Sequence, residues 1–223
     1  KRKKSEQALA ESEERFRQLA ENINEVFWMT SLDKKDMIYA SPQYEKIWGR
    51  KVEDLYKYPD SWLEAVHPED RDKVSKSLPK QPIGSYDIEY RVQRPDGELR
   101  WVKDIAFPVK NGKGEIYRLC GVAEDITERK VFEDKLRLYE RAFKNSIDSI
   151  LVMDTELKIH EVNKAFVDMW GYTPEEVIGQ TGDLLMDPST IKNITSKNLT
   201  PDTDTIRTEM LGRKKDGTII HID

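Results

Sequence analysis

The stretch GVAEDITERK, residues 121–130, decides how the chain is organised because it leads from sheet into helix. A strand is predicted over 116–122, and the short polar side chains of Asp125 and Thr127 can cap the free N–H groups of a helix that follows. Beyond them, apolar residues recur at spacings of three and four, which indicates a helix over 127–146. The residues in this stripe are Phe132, Leu136, Tyr139, Phe143 and either Ser146 or Ile147. Strand and helix are therefore expected to be continuous.

The residues before this stretch have the two-residue period of an antiparallel sheet. One strand presents alternating apolar residues on one face, namely Tyr86, Ile88, Tyr90 and Val92. Turn residues follow at Pro95-Asp96-Gly97 and again at Asn111-Gly112. Between the two turns a second strand presents a shared face that is interrupted by Lys103. The members of that face are Leu99, Trp101, Ile105 and Phe107.

Two shorter strands, within 26–29 and 37–40, precede a region of short helices over 42–78. Pro68 suits the first turn of one of these helices, because a missing N–H costs nothing there. Two short strands and a three-stranded meander predict an α+β fold. Its expected form is a five-stranded antiparallel sheet with short helices on one face.

The second half of the chain repeats this plan. Trp48-Gly49 recurs as Trp170-Gly171 at an offset of 122, and Asp96-Gly97 recurs as Asp216-Gly217 at an offset of 120. A period near 120 residues is too long for a solenoid and predicts two tandem domains. Only six residues follow Gly217, so the last strand of the second copy is expected to be absent and the natural chain to continue.

The predicted boundaries follow from this repeat and from the two amphipathic helices. They are an N-terminal helix over 1–20, a first domain over 21–126, a linker helix over 127–146 and a second, truncated domain over 147–223. The N-terminal helix also has a heptad-like stripe, formed by Leu9, Ser12, Phe16, Leu19 and Ile23. Each stripe could pack on its own domain or pair with a second copy of the chain, and the sequence leaves both open. A homodimer through these helices is the expected assembly.

Composition excludes several classes of function. The 223 residues include 37 basic and 42 acidic ones, a net charge of −5, so there is no excess of cations to bind nucleic acid. No apolar stretch approaches the roughly 18 residues of a membrane span. Cys120 stands alone, and the three histidines are far apart, so no intrachain disulfide and no common zinc motif is expected. These features favour a cytoplasmic protein without a metal site.

The order of the short motifs in the two halves resembles tandem PAS domains over about residues 12–223. In the first copy, Asp125–Lys130 is similar to the junction that ends PAS domains in this family. It is accompanied by Ser41-Pro42, Trp48-Gly49, His67-Pro68-Glu69-Asp70-Arg71, and Arg94-Pro95-Asp96-Gly97-Glu98 with Trp101. In the second copy the marks are Val162-Asn163-Lys164-Ala165-Phe166, the run from Gly171 to Gly179, and Lys215-Asp216-Gly217-Thr218.

The resemblance implies a non-catalytic sensory input region that relays a signal through linker helices to a C-terminal output domain. The family is typical of sensor histidine kinases, which makes a phosphorelay kinase the first choice of parent protein. A diguanylate cyclase or phosphodiesterase is the alternative, and a ligand-free PAS dimerisation module is another. In this interpretation the relay residues are Asp125, Ile126 and Thr127.

Catalytic motifs are not evident. His160-Glu161 is the one candidate for a phosphoacceptor, but it lies in an alternating strand pattern rather than on a helix. His67 precedes Pro68 and is interpreted as a helix cap. Gly112-Lys113-Gly114 lacks a following helix and is interpreted as a hairpin turn rather than a phosphate loop. No nucleophile–base pair is indicated.

The cofactor stays open between none and a small organic ligand. Flavin is disfavoured because the adduct-forming type needs a cysteine after the second strand, whereas Cys120 lies in the last one. Haem is not expected, since no suitably placed axial histidine is found. The pocket candidates are aromatic residues of the first copy and two residues of the second: Trp28, Tyr39, Trp48, Trp62, Tyr90, Trp101, Asn163 and Phe166.

Overall fold

The computed structural model describes residues 22–186 and 210–222, together with eight residues between Gln7 and Ala20 that are all helical. The remaining positions of the predicted N-terminal helix, Leu9, Phe16 and Leu19 among them, lie outside the described residues. The chain divides into two compact units, Lys1–Glu133 and Asp134–Asp223. No helix among the described residues is both long enough and apolar enough to cross a membrane.

The first unit contains a five-stranded antiparallel sheet with the spatial order β2-β1-β5-β4-β3. Its strands are β1 (Val26–Ser31), β2 (Met37–Ala40), β3 (Tyr86–Gln93), β4 (Leu99–Lys110) and β5 (Ile116–Asp125). Gly97 and Gly114 lie in the two hairpin turns with positive φ, a conformation that glycine adopts without strain. The predicted fold class is confirmed.

Short helices connect β2 to β3 and cover one face of this sheet. They are α1 (Gln43–Trp48), α2 (Val52–Lys57), α3 (Ser61–Glu64) and α4 (Arg71–Ser77), with 3₁₀ turns at Pro68–Asp70 and Leu78–Lys80. Pro68 opens its turn, and His67 caps it by accepting a hydrogen bond from the Glu69 N–H at 3.4 Å. The core between helices and sheet includes Ile47, Leu55, Val66, Val74 and Val92.

The core-facing side of β4 differs from the expectation. Leu99, Trp101, Ile105 and Phe107 do share a face with Lys103, but that face is the outer one, where Phe107 is 48% exposed. The inner face presents Val102, Asp104 and Ala106, all buried. The apolar pattern was misleading because a small residue and a carboxyl group take core positions, while bulky apolar residues lie on the opposite face.

Helix α5 (Thr127–Asn145) follows β5 with a single residue between them, and its residues from Asp134 onward belong to the second unit. The second unit contains two antiparallel pairs, β6 (Leu151–Met153) with β7 (Ile159–Val162) and β8 (Met210–Arg213) with β9 (Ile219–Ile222). Between β7 and β8 lie α6 (Lys164–Trp170), α7 (Pro174–Val177) and a 3₁₀ turn at Gly182–Leu185. Its core includes Ile159, Phe166, Trp170, Val177 and Leu185.

Candidate ligand cavity and relay junction

A cavity opens between the sheet and the helices of the first unit. Counted together with the open solvent at its mouth, this space measures about 670 Å³. Four of the eight sequence-predicted pocket residues line it, each from a different element: Trp28, Trp48, Trp62 and Tyr90. Sequence reasoning missed further lining residues, six of which carry polar groups: Thr30, Lys34, Tyr44, Asp60, Gln81 and Asp104.

Trp28 lies across β5 because Gly121, opposite it in the register, has no side chain. A Cβ on Gly121 would be 2.3 Å from Cζ2 of Trp28 and 2.4 Å from the Ile105 carbonyl oxygen, so no other residue fits without a shift. The indole Nε1–H of Trp28 donates to Oδ1 of Asp104 at 3.0 Å. Gly121 therefore fixes a ring that forms one wall of the cavity.

Asp104 is a buried carboxyl group on the inner face of β4, with 4% of its surface exposed. Its Oδ2 accepts hydrogen bonds from the hydroxyls of Tyr86 at 3.1 Å and Tyr90 at 3.2 Å. Burial raises the pKa of Asp104 to about 6, even though the bonds from Trp28 and the two tyrosines favour the ionised form. The signal that could have revealed this site is an acidic residue at a core position of an alternating strand.

Tyr44 and Trp48 lie one turn apart on α1, and their rings stack with centroids 5.0 Å apart. The helix ends there because Gly49 adopts a left-handed conformation, with φ of +67°. Burial raises the pKa of the Tyr44 phenol. Three residues that line the cavity carry a buried polar atom with no hydrogen-bond partner among the described residues: Oγ1 of Thr30, the hydroxyl of Tyr44 and Nε1 of Trp48.

Lys34 and Asp60 line the same cavity from loops. Lys34 adopts a positive φ of 60°, and its ammonium group donates to the Leu78 carbonyl at 3.4 Å. Burial lowers the pKa of Lys34, while the Asp60 carboxylate acts in the opposite direction.

The other four pocket candidates lie elsewhere. Trp101 is on the outer face of the sheet, under the side chains of Arg91 and Lys130, and Tyr39 does not line the cavity. Asn163 and Phe166 belong to the second unit. Asn163 caps α6 through the Phe166 N–H, and it also accepts from the Ile150 N–H and donates to the carbonyls of Phe143 and Asp148. Phe166 is fully buried in that unit's core.

The strand-to-helix junction is held by the predicted relay residues. Oδ1 of Asp125 accepts from both the N–H and the hydroxyl of Thr127, at 2.9 and 2.5 Å. Trp101 binds the junction through its backbone, accepting from the Ile126 N–H at 2.8 Å and donating to Oγ1 of Thr127 at 2.9 Å. Arg100 adds an ion pair to Oδ2 of Asp125 at 3.0 Å.

The first turn of α5 is also tied to β3. Glu89 pairs with Arg129 at 2.7 Å and with Lys130 at 2.6 Å, and these cations lower the pKa of its carboxyl. Glu89 is adjacent in sequence to Tyr90, whose side chain lies on the opposite face and binds Asp104. Neighbouring residues of β3 thus contact the cavity on one face and the helix start on the other.

The remaining candidate motifs are structural in this fold. His160 lies on β7, where its Nε2 is 3.0 Å from Oδ2 of Asp154. Gly112-Lys113-Gly114 forms the turn between β4 and β5. Cys120 lies in β5 with its thiol 3.7 Å from the Phe107 carbonyl oxygen, and burial raises the pKa of that thiol.

Each of the two units matches a known protein-family model. Models described as PAS fold match residues 37–123 and again residues 137–223. The chain belongs to the PAS family. The two PAS domains that the repeat predicted are thereby confirmed.

Similar proteins include signalling enzymes of both predicted classes. A blue-light-activated histidine kinase of Brucella ovis is 31% identical over 143 residues, covering 62% of this chain and 28% of its own length. The protein named "Probable diguanylate cyclase DgcE" of Escherichia coli is 30% identical over 145 residues, covering 59% of this chain and 13% of its own length. The PAS chain thus spans less than a third of each of these relatives. Their names agree with the predicted sensory input role in a kinase or cyclase.

Among solved structures, a sensory box histidine kinase/response regulator from Burkholderia thailandensis E264 is 32% identical to the chain. The match covers 59% of this chain and 99% of the other, with a TM-score of 0.46.

Proposed function

We propose that the chain is a non-catalytic sensory input region whose first PAS domain binds a small organic ligand in the cavity described above. The observation that carries this proposal is the set of unpartnered buried polar atoms at an aromatic-lined cavity, because such atoms are destabilising unless a ligand or water binds them. In the full-length protein the output domain would be a histidine kinase of a phosphorelay, or alternatively a cyclic-di-GMP enzyme, in the cytoplasm.

The relay from cavity to helix follows two short paths in the sheet. Asp104 pairs with Ala123, two residues before Asp125. Tyr90, which binds Asp104, is adjacent to Glu89, which binds the first turn of α5. A ligand that alters the position or charge of Asp104 would therefore move the strands that hold the helix start. A shift or rotation of a helix is a two-state change of the kind that signalling proteins use.

Hydrogen exchange measured on the chain as purified and after removal of bound small molecules tests this relay. We expect native mass spectrometry to detect a bound ligand, and its removal to increase exchange in α5 near Arg129 and Lys130. Removal that changes exchange only around the cavity would contradict the relay. Inserting two residues after Arg129 should change the output of the full-length protein, and unchanged signalling would count against transmission through α5.

Pairing of two copies through the helices is a second proposed property. Helix α5 has no buried residue, and its apolar stripe is open, with Phe132 69% and Tyr139 67% exposed. Because such a stripe is stabilised by a second helix, we expect sedimentation at micromolar concentration to show a dimer. A Phe132→Glu, Tyr139→Glu variant should be monomeric, whereas an Asp134→Ala variant on the same helix should dimerise normally. A parent chain that is strictly monomeric would contradict this proposal.

A further inference from the structure

The cavity of the first PAS domain holds a buried carboxylate, Asp104, that forms no ion pair with a protein cation among the described residues. Lys34, whose side chain also lines the cavity, donates to the Leu78 carbonyl instead. Asp104 accepts three hydrogen bonds, all from the uncharged groups of Trp28, Tyr86 and Tyr90. Within the described residues, no Lys, Arg or His forms an ion pair with it. Burying an ionised carboxylate without a counter-charge is costly, and the cost is removed when a cation lies beside it. Uncharged donors already occupy three of the roughly four acceptor positions of Asp104, so what the carboxylate lacks is a neighbouring positive charge.

The rings around Asp104 offer the faces that organic cations bind. Trp28, Trp48 and Trp62 line the cavity together with Tyr44 and Tyr90. A cation over an aromatic face is attracted by the electrons of the ring, most strongly where water is excluded.

Trp101, on the outer face of the sheet, differs from the cavity rings because protein cations lie over it. Its ring carries Arg91 at 5.6 Å and Lys130 at 5.3 Å, measured to the ring centroid. The cavity rings have no such protein cation among the described residues.

The unpartnered polar atoms indicate which hydrogen-bonding groups the ligand would carry. Trp48 and Tyr44 are each 3% exposed and Thr30 is 7% exposed, so water outside the protein does not reach these groups. An indole Nε1–H can only donate, which requires an acceptor atom on the ligand. The hydroxyls of Tyr44 and Thr30 can donate or accept, and they add no further restriction.

We infer that the cavity binds a small organic cation of the alkylammonium class that also carries a hydrogen-bond acceptor such as a hydroxyl oxygen. Asp104 would neutralise the cation, the aromatic rings would surround its alkyl groups, and Trp48 would donate to the acceptor atom. A bulky ammonium fits better than a guanidinium, because Asp104 has few lone pairs left for a cation that needs several hydrogen bonds. This inference rests on the proposed ligand-binding function and specifies its chemistry.

Choline and its neutral carbon isostere, 3,3-dimethylbutan-1-ol, form a probe pair that differs in charge but not in shape. Isothermal titration of the full chain with each compound should show choline binding at least about tenfold more tightly, the gain typical of a desolvated cation on aromatic faces. Asp104→Asn should abolish this preference. Asp87→Asn, which removes a carboxylate from the outer face of β3, should leave it unchanged. Trp48→Phe should weaken both compounds about equally, since both offer the same hydroxyl.

The comparison of choline with its neutral isostere is made on the parent chain, so it tests the inference even if the Asp104→Asn variant misfolds. Equal or tighter binding of the neutral isostere overturns the inference but leaves the cavity a ligand site. Co-purification of an anionic or neutral ligand, detected by native mass spectrometry, has the same consequence. Binding of neither compound overturns the alkylammonium assignment, while the hydrogen-exchange experiment on the relay decides the proposed function separately.

Discussion

The two PAS domains place the same tryptophan–glycine pair at the end of equivalent helices, but they differ in how the indole N–H is satisfied. In the second domain Nε1–H of Trp170 donates to the hydroxyl of Ser149 at 2.9 Å. In the first domain Nε1 of Trp48 has no partner among the described residues. One turn earlier the second domain has Phe166, which carries no polar group, where the first has Tyr44 with an unpartnered hydroxyl. The first domain therefore has polar groups without partners among the described residues at positions where the second completes its own core, which agrees with the proposed ligand site.

A second pair of equivalent residues differs in the opposite direction, because here the second domain makes more side-chain hydrogen bonds than the first. Ser41 and Asn163, which are 122 positions apart, both hold the chain at the start of the first strand of their domain. Ser41 accepts from the Phe27 N–H at 3.1 Å and donates to the Glu25 carbonyl at 3.4 Å. Asn163 makes three bonds to the chain before β6, from the Ile150 N–H and to the carbonyls of Phe143 and Asp148, and a fourth from the Phe166 N–H at the start of α6. The second domain thus makes four contacts to the backbone through one side chain, where the first makes two.

The largest difference is expected from alanine substitutions at this pair. Asn163→Ala leaves four backbone groups without partners and should reduce the unfolding free energy of the second domain by about 4 kcal/mol, at roughly 1 kcal/mol per group. Ser41→Ala removes two weaker bonds and should cost the first domain about 1–2 kcal/mol. Hydrogen exchange resolves the two domains and measures each loss. Equal losses would show that the two residues have the same structural role.

The next-largest difference between the two domains is expected in how their stability depends on pH. The folded-state pKa of Asp104, about 6, lies above its ordinary value of 3.8, so the native state of the first domain binds an extra proton between these values. The resulting stabilisation is complete below about pH 4 and is lost as the pH rises through about 6. It amounts to about 3 kcal/mol at 1.36 kcal/mol per pKa unit.

The Asp104→Asn variant isolates this contribution, because Asp70, Glu89 and other carboxyls titrate identically in the variant and the parent. The stability of the variant relative to the parent should rise by about 3 kcal/mol between pH 4 and pH 7. Urea unfolding can be followed by tryptophan fluorescence, to which Trp28, Trp48, Trp62 and Trp101 of the first domain contribute. A difference that is independent of pH would mean that Asp104 titrates normally.

Local sequence patterns were sufficient to predict the sheet, its turns and the duplication. Pro95-Asp96-Gly97 and Asn111-Gly112 set the hairpins through backbone geometry, which depends on few neighbours. The inner face of β4 was harder to predict from the sequence. Its polar and apolar residues are arranged against the usual pattern, with Asp104 at a core position and Trp101 on the outer face. Tyr44 could have been found by aligning the repeats, since it replaces Phe166 at the same offset as the tryptophans.

The partners of buried polar groups could not be predicted in the same way. Whether an indole N–H finds a partner such as Ser149 or has none depends on residues about 20 positions away in sequence and on their packing in three dimensions. The dependence of Trp28 on Gly121 likewise joins residues from β1 and β5. Such contacts follow from tertiary structure and leave no local period in the sequence.

Adding a methyl group to a strand glycine should affect both domains, but unequally. In Gly121→Ala the new Cβ would meet the Ile105 carbonyl oxygen, a backbone atom that cannot move without disturbing the sheet. In Gly212→Ala it would meet the ends of two side chains, those of Ile222 and Trp170. We expect a loss of about 3 kcal/mol for the first and about 1–2 kcal/mol for the second, measured by hydrogen exchange in each domain. Gly112→Ala, with open space around it, is the control, and a larger loss at Gly212 would reverse the comparison.

The smallest expected effect comes from substituting the two equivalent tryptophans, and it tests directly whether their indole N–H groups differ in hydrogen bonding. Trp48→Phe and Trp170→Phe remove similar volumes from similar sites, so their packing losses should nearly cancel in a comparison. Trp170→Phe also breaks the bond to Ser149 and should cost about 1 kcal/mol more than Trp48→Phe in the ligand-free chain. Urea unfolding monitored by hydrogen exchange in each domain measures both losses. If Trp48→Phe were the more costly substitution, the Trp48 N–H would have a partner even without ligand, and the difference between the domains that supports the proposed ligand site would disappear.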